Sequence, residues 1–227
     1  MKEAVFSSPF FGITLSLAAY CIGVMICRRT SLAICNPLLI SYLIIIPTLL
    51  LAGIPLEWYE NGGDLIDMFL SPATAVLALT VYRQRKLVRR HIIAIAAGTV
   101  AGCVTSITTV YAMCRLLSLD GIVTASLLPK SITTPMAIAV SQSLGGIGPL
   151  TVLAVIFTGI LGSILAPLMT RVFRIRDEVV QGIAIGASSH AVGTGKAIEM
   201  GEIQGAMSSI SLVISGILTV LVSIPFS

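Results

Sequence analysis

Almost the whole chain consists of apolar stretches of about 20 residues that are separated by short polar connections. A helix needs about 20 apolar residues to cross a bilayer. Hydrophobic residues make up 56% of the 227 residues and charged residues 11%, whereas soluble domains have about 25% charged residues. The sequence predicts an all-α polytopic membrane protein with one membrane domain over 1–227, set in the lipid bilayer. Eight segments are predicted, or seven if one does not cross, at about 8–27, 38–55, 65–82, 92–114, 121–143, 147–170, 179–199 and 206–225.

Three of these segments are interrupted by helix-breaking residues. Segment 65–82 contains Asp67 and the run Ser71-Pro72-Ala73-Thr74, segment 121–143 contains Pro129 and Pro135, and segment 179–199 is rich in Gly and Ser on both sides of His190. Proline lacks an amide proton and clashes with the preceding turn, and glycine weakens a helix. Because backbone groups must be satisfied within lipid, such breaks persist only where they are buried in protein or line a wet cavity. The three segments are therefore predicted to be broken or re-entrant.

Clusters of basic residues predict the orientation, because short cytoplasmic loops are enriched in Lys and Arg. The net charge of +4 comes from such clusters and does not indicate nucleic-acid binding. The connections at 83–90 and 171–176 carry most of them, and both fit the cytoplasmic side only if segment 121–143 enters and leaves on one side. With the other segments crossing, the N-terminus is expected outside and the C-terminus in the cytoplasm.

That topology predicts an inverted repeat. The triplets 38–114 and 147–225 would each read plain, broken, plain and would run in opposite directions. Inverted repeats with paired broken helices are typical of secondary transporters, which bind their substrate near the membrane midplane.

Lys130 lies between two prolines in an apolar segment, where a charged side chain is costly unless something offsets the cost. One interpretation is an anion site made by Lys130, the hydroxyls of Ser131, Thr133 and Thr134, and a half-helix N-terminus near Pro135, since free amides and the helix dipole attract anions. The alternative is that Lys130 reaches water from a re-entrant tip or pairs with a carboxylate such as Asp67.

His190 lies among small residues, which allow close approach of a ligand or of another helix. It could bind an anion or titrate to couple a proton; alternatively, it is a hydrogen-bonded histidine that stabilises the break. The substrate site predicted from these breaks comprises, besides Lys130 and its three hydroxyl neighbours, the residues Ser71, Thr74, Ser188, Ser189, His190, Gly193, Thr194 and Lys196.

Two carboxylates near these breaks have a coupling or structural role. Lys196 and Glu199 are three residues apart, so on a continuing helix they are expected to pair. Asp67 is either a helix cap or a ligand of a coupling ion.

No pattern in the chain indicates catalysis, a metal or a cofactor. The five cysteines form no CxxC pair, so neither a disulfide nor a metal site is expected. Ser189 and His190 are adjacent, so on a helix they point in different directions and do not form a nucleophile–base pair. We expect no enzymatic activity and no cofactor.

The motifs resemble those of the LrgB/CidB family of bacterial inner-membrane proteins, which has a plastid branch. The most specific run extends from Ala187 to Gly205 and continues as Ala206-Met207-Ser208-Ser209. The other matching stretches are Asn36-Pro37-Leu38-Leu39, Ser71 to Leu79 with Tyr82-Arg83-Gln84, and Leu127 to Pro135. Two departures are mild: Ser71 stands where the family often has Gly, and Ser188 is an extra residue before Ser189-His190.

The resemblance implies one of two functions. Bacterial members are described as antiholin-like modulators of murein hydrolase activity and autolysis, often beside a small LrgA/CidA-type membrane protein, whereas plastid relatives carry glycolate and glycerate and some bacterial relatives are linked to pyruvate uptake. The chain is expected to be either a carrier of small monocarboxylates in the cytoplasmic membrane or a holin-like regulator acting through a pore or an assembly. A homodimer is expected.

Overall fold

The computed structural model describes residues 6–30, 35–69, 72, 75, 76, 79 and 82–223, and the described residues in regular structure are helical. The chain divides into an N-terminal unit, Met1–Val76, and a C-terminal unit, Leu77–Ser227. Ser71 and Thr74, predicted to belong to the substrate site, lie outside the described residues.

The described part of the N-terminal unit contains three helices: α1 (Pro9–Thr30), α2 (Pro37–Ala52) and α3 (Leu56–Asp67). Both α2 and α3 pack on α1 around a core of Ala19, Ile45, Leu49 and Ile54. The chain enters α2 through Asn36, whose side chain accepts hydrogen bonds from the amides of Leu38 and Leu39.

Cys27 and Cys35 are joined by a disulfide across the connection from α1 to α2, contrary to the expectation of free thiols. Their Cα atoms are 5.2 Å apart because α1 and α2 pack side by side, and the spacing of cysteines along the sequence does not reveal that proximity.

The C-terminal unit contains the remaining described helices. They are α4 (Arg85–Arg90), α5 (Ile92–Leu116), α6 (Gly121–Leu127), α7 (Thr134–Ser143), α8 (Gly148–Val172), α9 (Glu178–Met200) and α10 (Glu202–Ser223). Among the described residues, four helices, α1, α5, α8 and α10, are long and apolar enough to cross a membrane, and α2 is a shorter apolar helix. The polytopic, all-α prediction is confirmed.

Helices α6 and α7 form a hairpin, as the basic clusters predicted for segment 121–143. The chain that leaves α7 returns to α6: the amide of Ile147 donates to Ser126 Oγ at 2.7 Å. A methyl group on Gly146 would lie 2.9 Å from the Ser126 amide nitrogen. The segment therefore enters and leaves at the same end of the unit. We call this element hairpin 1, with its tip at 128–133.

Helix α9 is also a hairpin, because it turns back on itself at Ser189 and His190. These two residues have non-helical torsions, with φ +41° and ψ −142° at His190. The first limb (178–188) runs parallel to α10, since Gly182 lies against Gln204 and Gly186 against Ser208. The second limb (191–200) runs antiparallel to α10, since Thr194 Oγ1 lies 2.9 Å from Ser208 Oγ and Gly205 lies against Ile198.

Contacts between the two limbs confirm the reversal. A methyl group on Gly193 would lie 3.2 Å from Cγ2 of Ile185, whereas residues eight apart on a straight helix are separated by about 12 Å. We call this element hairpin 2. The prediction that segment 179–199 is broken or re-entrant is confirmed, and the reversal makes it a hairpin instead of the single crossing assumed in the predicted topology. The orientation of the termini stays a prediction. The physical reason for the reversal is the left-handed backbone at His190. The sequence does not indicate this backbone, because the position is not a glycine.

The two hairpins enter from opposite ends of α8. Hairpin 1 ends just before Gly148, the first residue of α8, and hairpin 2 begins shortly after Val172, its last residue. Helix α8 has 25 residues and is therefore about 37 Å long. Residues 121–172 thus form hairpin 1 followed by α8, and residues 178–223 form hairpin 2 followed by α10. The second hairpin and helix run in the opposite direction to the first. The triplets 38–114 and 147–225 stay a prediction, since most of segment 65–82 lies outside the described residues.

Candidate functional site at the hairpin tips

The tip of hairpin 1 holds Lys130 at the start of a half-helix. Helix α7 begins at Thr134 with Pro135 as its second residue, and Thr133 precedes it without a capping hydrogen bond from its side chain. The first amides of a helix have no partner within the helix, so the amides of Thr134 and Met136 lie free of the helical ladder at this tip. The tip is attached to α5 by a 2.7 Å hydrogen bond between Ser131 Oγ and Ser106 Oγ.

The tip of hairpin 2 is buried against α8. Ser189 is 4% exposed and His190 is 3% exposed. His190 Nε2 lies 2.7 Å from the carbonyl oxygen of Val155, and a carbonyl only accepts, so Nε2 carries the hydrogen and donates. Behind the turn, Thr194 Oγ1 donates to the His190 carbonyl at 2.8 Å. The hydrogen-bonded histidine of the alternative interpretation is therefore present in the structure.

Two glycines on α8 make room for this tip. A methyl group on Gly159 would lie 2.5 Å from Cε1 and Nε2 of His190, and one on Gly162 would overlap Ser189 Oγ. Gly159 is close to the middle of α8, which runs Gly148–Val172. The tip of hairpin 2 therefore lies about halfway along the helix.

The two tips meet beside Val155. Ile132 of hairpin 1 packs with Val155 in one buried cluster, and the His190 imidazole is bonded to the carbonyl of the same residue. Ile132 and His190, which are 58 positions apart in sequence, therefore contact the same residue of α8.

Lys130 is a cation without an anionic partner in the part of the chain that the structure describes. Its Nζ lies 3.5 Å from Ser131 Oγ, at the limit of a hydrogen bond, and it forms no ion pair there. It lines a groove of about 580 Å³ with apolar side chains of hairpin 1 and α8: Leu127, Leu150, Leu153, Ala154, Phe157 and Leu161, together with Thr158.

The backbone adds to the positive potential of the site. Helix α7 and the second limb of hairpin 2 both begin at the tips, and the N-terminus of a helix carries a partial positive charge. Together with the Lys130 ammonium, these termini make a site suited to an anion. Such helix ends near the middle of a membrane are typical of the binding sites of secondary transporters.

The predicted site residues separate into those at the tips and those elsewhere. Hairpin 1 brings Lys130, Ser131, Thr133 and Thr134 to its tip, and hairpin 2 brings Ser189 and His190 to the meeting point. Gly193 and Thr194 are buried in the second limb, where Gly193 packs on Ser189 and Thr194 bonds to α10. Their contacts stabilise the hairpin.

Three predicted residues make contacts away from the tips. Lys196 pairs with Glu199 at 2.8 Å on an exposed part of the second limb, as their spacing predicted. Ser188 is exposed and donates to the carbonyl of Ala184. Asp67 is exposed at the last residue of α3, in the N-terminal unit.

Sequence reasoning missed the residues that receive the tips. Ser106 and the Val155 carbonyl have no sequence signal, since a hydroxyl or an apolar residue within a long apolar helix is common. Gly159 and Gly162 do have a sequence signal, since two glycines three residues apart mark a part of α8 that another backbone can approach closely. Within the described residues, no three metal-binding side chains cluster.

Comparison with known proteins identifies the family. The family model described as LrgB-like matches residues 16–227. The chain belongs to the LrgB-like family. The resemblance expected from the motifs is thus confirmed, and both hairpins of this LrgB-like protein lie within the matched region.

The relatives are similar along nearly their whole length. Antiholin-like protein LrgB of Bacillus subtilis (strain 168) is 38% identical over 216 residues, which are 95% of this chain and 94% of the relative. The proteins of the same name from Bacillus mycoides (strain KBAB4) and Bacillus cereus (strain B4264) are 35% and 34% identical over the same shares. No solved structure matches this LrgB-like chain.

Proposed function

We propose that this protein carries small monocarboxylates across the cytoplasmic membrane by alternating access. The observation that supports the proposal is the meeting of two hairpin tips, one from each end of α8, where two helices begin and where Lys130 has no anionic partner among the described residues. One free ammonium fits one carboxylate, and the hydroxyls of Ser131, Thr133 and Thr134 suit a 2-oxo or 2-hydroxy oxygen. Pyruvate, glycolate and glycerate have this chemistry.

The opposite entry of the hairpins suggests how access alternates. Each tip separates the site from one side of the membrane, so movement of one hairpin away from α8 opens the site to that side alone. The glycines of α8 permit close packing of hairpin 2 in the closed state. Binding an anion between the tips would favour closure, because its charge is then shared by both hairpins.

The hairpins also revise the orientation that the sequence predicted. With the basic connections at 83–90 and 171–176 in the cytoplasm, α8 runs inward and hairpin 2 begins and ends on the cytoplasmic side. Helix α10 then runs outward and ends outside. The hydrogen bond from Gln84 Nε2 to Glu202 Oε1, at 2.9 Å, is consistent with both residues on the cytoplasmic side. The N-terminus remains outside, on the evidence of Arg28 and Arg29 alone.

Transport tests the proposal through Lys130. Purified protein in liposomes loaded with unlabelled pyruvate or glycolate should accumulate the labelled compound by counterflow, with saturation. Lys130→Ala should abolish counterflow, because the carboxylate loses its cationic partner. Lys196→Ala is the matched control: it removes a lysine that already pairs with Glu199, and counterflow should persist. Full counterflow in Lys130→Ala would show that the site is elsewhere, and wild-type protein without saturable transport of any carboxylate would refute the carrier.

The names of the relatives favour a second function, an antiholin-like regulator of autolysis that acts through a pore or an assembly. In that case a small LrgA/CidA-type protein or a second copy of this chain is the partner that matters. Leakage of large solutes from the same liposomes, without saturable transport, would favour this function. The two functions are compatible, because moving an organic acid changes the proton gradient that influences murein hydrolase activity. Neither requires enzymatic activity.

A further inference from the structure

Three buried hydroxyls in the C-terminal unit have no hydrogen-bond partner among the described residues. They are Thr99 Oγ1 on α5 and the Oγ atoms of Ser211 and Ser215 on α10. Each side chain is at most 1% exposed. Other buried hydroxyls of the same helices are satisfied: Ser209 donates to the Gly205 carbonyl at 2.8 Å and Thr219 to the Ser215 carbonyl at 2.8 Å. Buried polar groups are almost always paired, so three exceptions on two packed helices require an explanation.

The register of α5 and α10 places these hydroxyls on facing surfaces. Both helices run parallel to the first limb of hairpin 2: Gly98 and Gly102 on α5 pack on Ile183 and Ala187, and Gly182 and Gly186 pack on α10. Helices α5 and α10 are therefore parallel to each other. Cys103 Sγ lies 3.4 Å from Thr219 Oγ1 between them.

Thr99 lies one turn before Cys103 on α5, and Ser215 lies one turn before Thr219 on α10. Because residues four apart share a helix face, Thr99 and Ser215 face each other one turn further back along the interface. Ser211 lies one further turn back on the same face of α10. The three oxygens thus line the interface between α5 and α10, beside the first limb of hairpin 2.

That limb ends at the tip, and its end supplies more oxygen atoms. The last carbonyls of a helix have no partner within the helix and carry a partial negative charge. Ala187 belongs to this last turn and lies against α5, where a methyl group on Gly102 would be 3.0 Å from its Cβ. Hydroxyls and half-helix carbonyls are the ligands that coordinate sodium in transporters with broken helices.

We propose that Thr99, Ser211 and Ser215, with carbonyls at the end of the first limb, bind a monovalent cation of sodium size. No carboxylate of the described residues is buried, whereas divalent cations are usually held by carboxylates, so a single charge fits better. The closely packed glycine contacts around α5 and α10 favour the smaller sodium ion over potassium. The hydroxyls do not titrate at physiological pH, so the site is not a proton site.

The role of the cation as a coupling ion of transport rests on the proposed function, whereas the binding of the cation does not. Sodium beside the end of the first limb would stabilise hairpin 2 in its closed position, and so would link the cation to the Lys130–His190 site. The test therefore measures binding in the absence of any carboxylate, so that its failure is distinct from the failure of monocarboxylate transport.

The experiment follows thermal unfolding of the detergent-purified full chain in sodium, potassium or choline chloride at equal ionic strength, together with binding of labelled sodium. Sodium should raise the unfolding temperature above the value in choline, and potassium should have a smaller effect. Ser211→Ala and Ser215→Ala should weaken sodium binding by about tenfold or more. Ser209→Ala, which removes a satisfied hydroxyl from the same helix, should leave sodium binding unchanged.

Stability in choline separates a folding defect from a binding defect. Removing an unpaired buried hydroxyl leaves no donor or acceptor unsatisfied, so Ser211→Ala and Ser215→Ala should unfold in choline at or above the wild-type temperature. The proposal is refuted if sodium and choline give the same wild-type unfolding temperature and no labelled sodium binds. It is also refuted if Ser211→Ala and Ser215→Ala bind sodium as Ser209→Ala does, which is the outcome expected if water alone occupies the interface.

Discussion

Lys130 and Lys196 show how the same residue type takes different roles through its surroundings. Both lie near a break in an apolar segment, and both were predicted to bind substrate. Lys196 has a carboxylate one turn away on an exposed limb, so its charge is already balanced. Lys130 has no such partner in the described residues and lies at the start of a half-helix. Its charge remains available to a ligand.

His190 has the structural role that the sequence gave as one of two alternatives. Its backbone reverses the chain, and its imidazole is bonded to the Val155 carbonyl. The residue therefore positions the tip of hairpin 2, and its role as a substrate ligand stays a prediction. A histidine with φ of +41° is unusual, since this backbone region favours glycine. The strained turn persists because the contacts on both sides hold it.

Gly162→Ala tests the close approach of hairpin 2 to α8. The added methyl group would overlap Ser189 Oγ, so the tip must move away from the helix. We expect a loss of stability of about 1–3 kcal/mol, measured by chemical or thermal unfolding in detergent, together with reduced counterflow. Gly195→Ala is the control, because nothing lies within 4 Å of its added methyl group. Equal stability of the two variants would contradict the packing of the tip on α8.

At the scale of the elements, the sequence predicted where helices break better than how they continue. Pro129 and Pro135 marked the break in segment 121–143, because proline is tolerated in the first turn of a helix but disrupts a helix interior, where its missing amide proton removes a hydrogen bond. The positive charge of the flanking connections then indicated that the segment returns to the side of the membrane from which it enters. Segment 179–199 had no proline and no charge constraint that required a return, so it was taken to cross.

The reversal of hairpin 2 depends on tertiary contacts that a local pattern does not contain. Gly182 and Gly186 approach α10 from the first limb, while Thr194 bonds to α10 from the second. Only the combination of both limbs with α10 reveals a hairpin. For the same reason, the residues of both breaks were predicted to share one site, but the place where the tips meet, beside Val155 on α8, was not predicted.

Cysteine cross-linking tests hairpin 2 directly, in a chain whose five native cysteines have been replaced. Gln181→Cys with Gln204→Cys should form a disulfide, because the side chains of Gln181 and Gln204 are hydrogen-bonded at 3.3 Å. In a straight α9 packed antiparallel to α10, residue 181 would instead lie near residue 221. Gln181→Cys with Leu221→Cys is therefore the matched control and should not cross-link. The reverse result would mean that segment 179–199 crosses the membrane.

At the scale of the whole molecule, the low charge content leaves few groups to specify orientation. The basic connections at 83–90 and 171–176 remain the main determinants, and hairpin 1, which lies between them, lets both connections lie on the same side. The result is a hairpin and a long helix, repeated in the opposite direction.

Accessibility of α10 tests this orientation. Ser223→Cys, at the last residue of α10, should react with a membrane-impermeant thiol reagent added to intact cells, because α10 runs outward. Arg174→Cys, in the connection between α8 and hairpin 2, should react only after the membrane is opened. Labelling of Arg174→Cys and protection of Ser223→Cys in intact cells would invert the proposed orientation.

Substrate protection at both tips tests the central claim most directly. In a cysteine-free chain, Thr133→Cys reports on hairpin 1 and Ala191→Cys on hairpin 2, and each is labelled with a thiol reagent over a range of pyruvate or glycolate concentrations. If the tips form one anion site, the carboxylate should slow labelling at both positions with the same half-maximal concentration, and Lys130→Ala should remove both effects. Protection of one tip alone, or of neither in a chain that still performs counterflow, would contradict a site shared by the two hairpins.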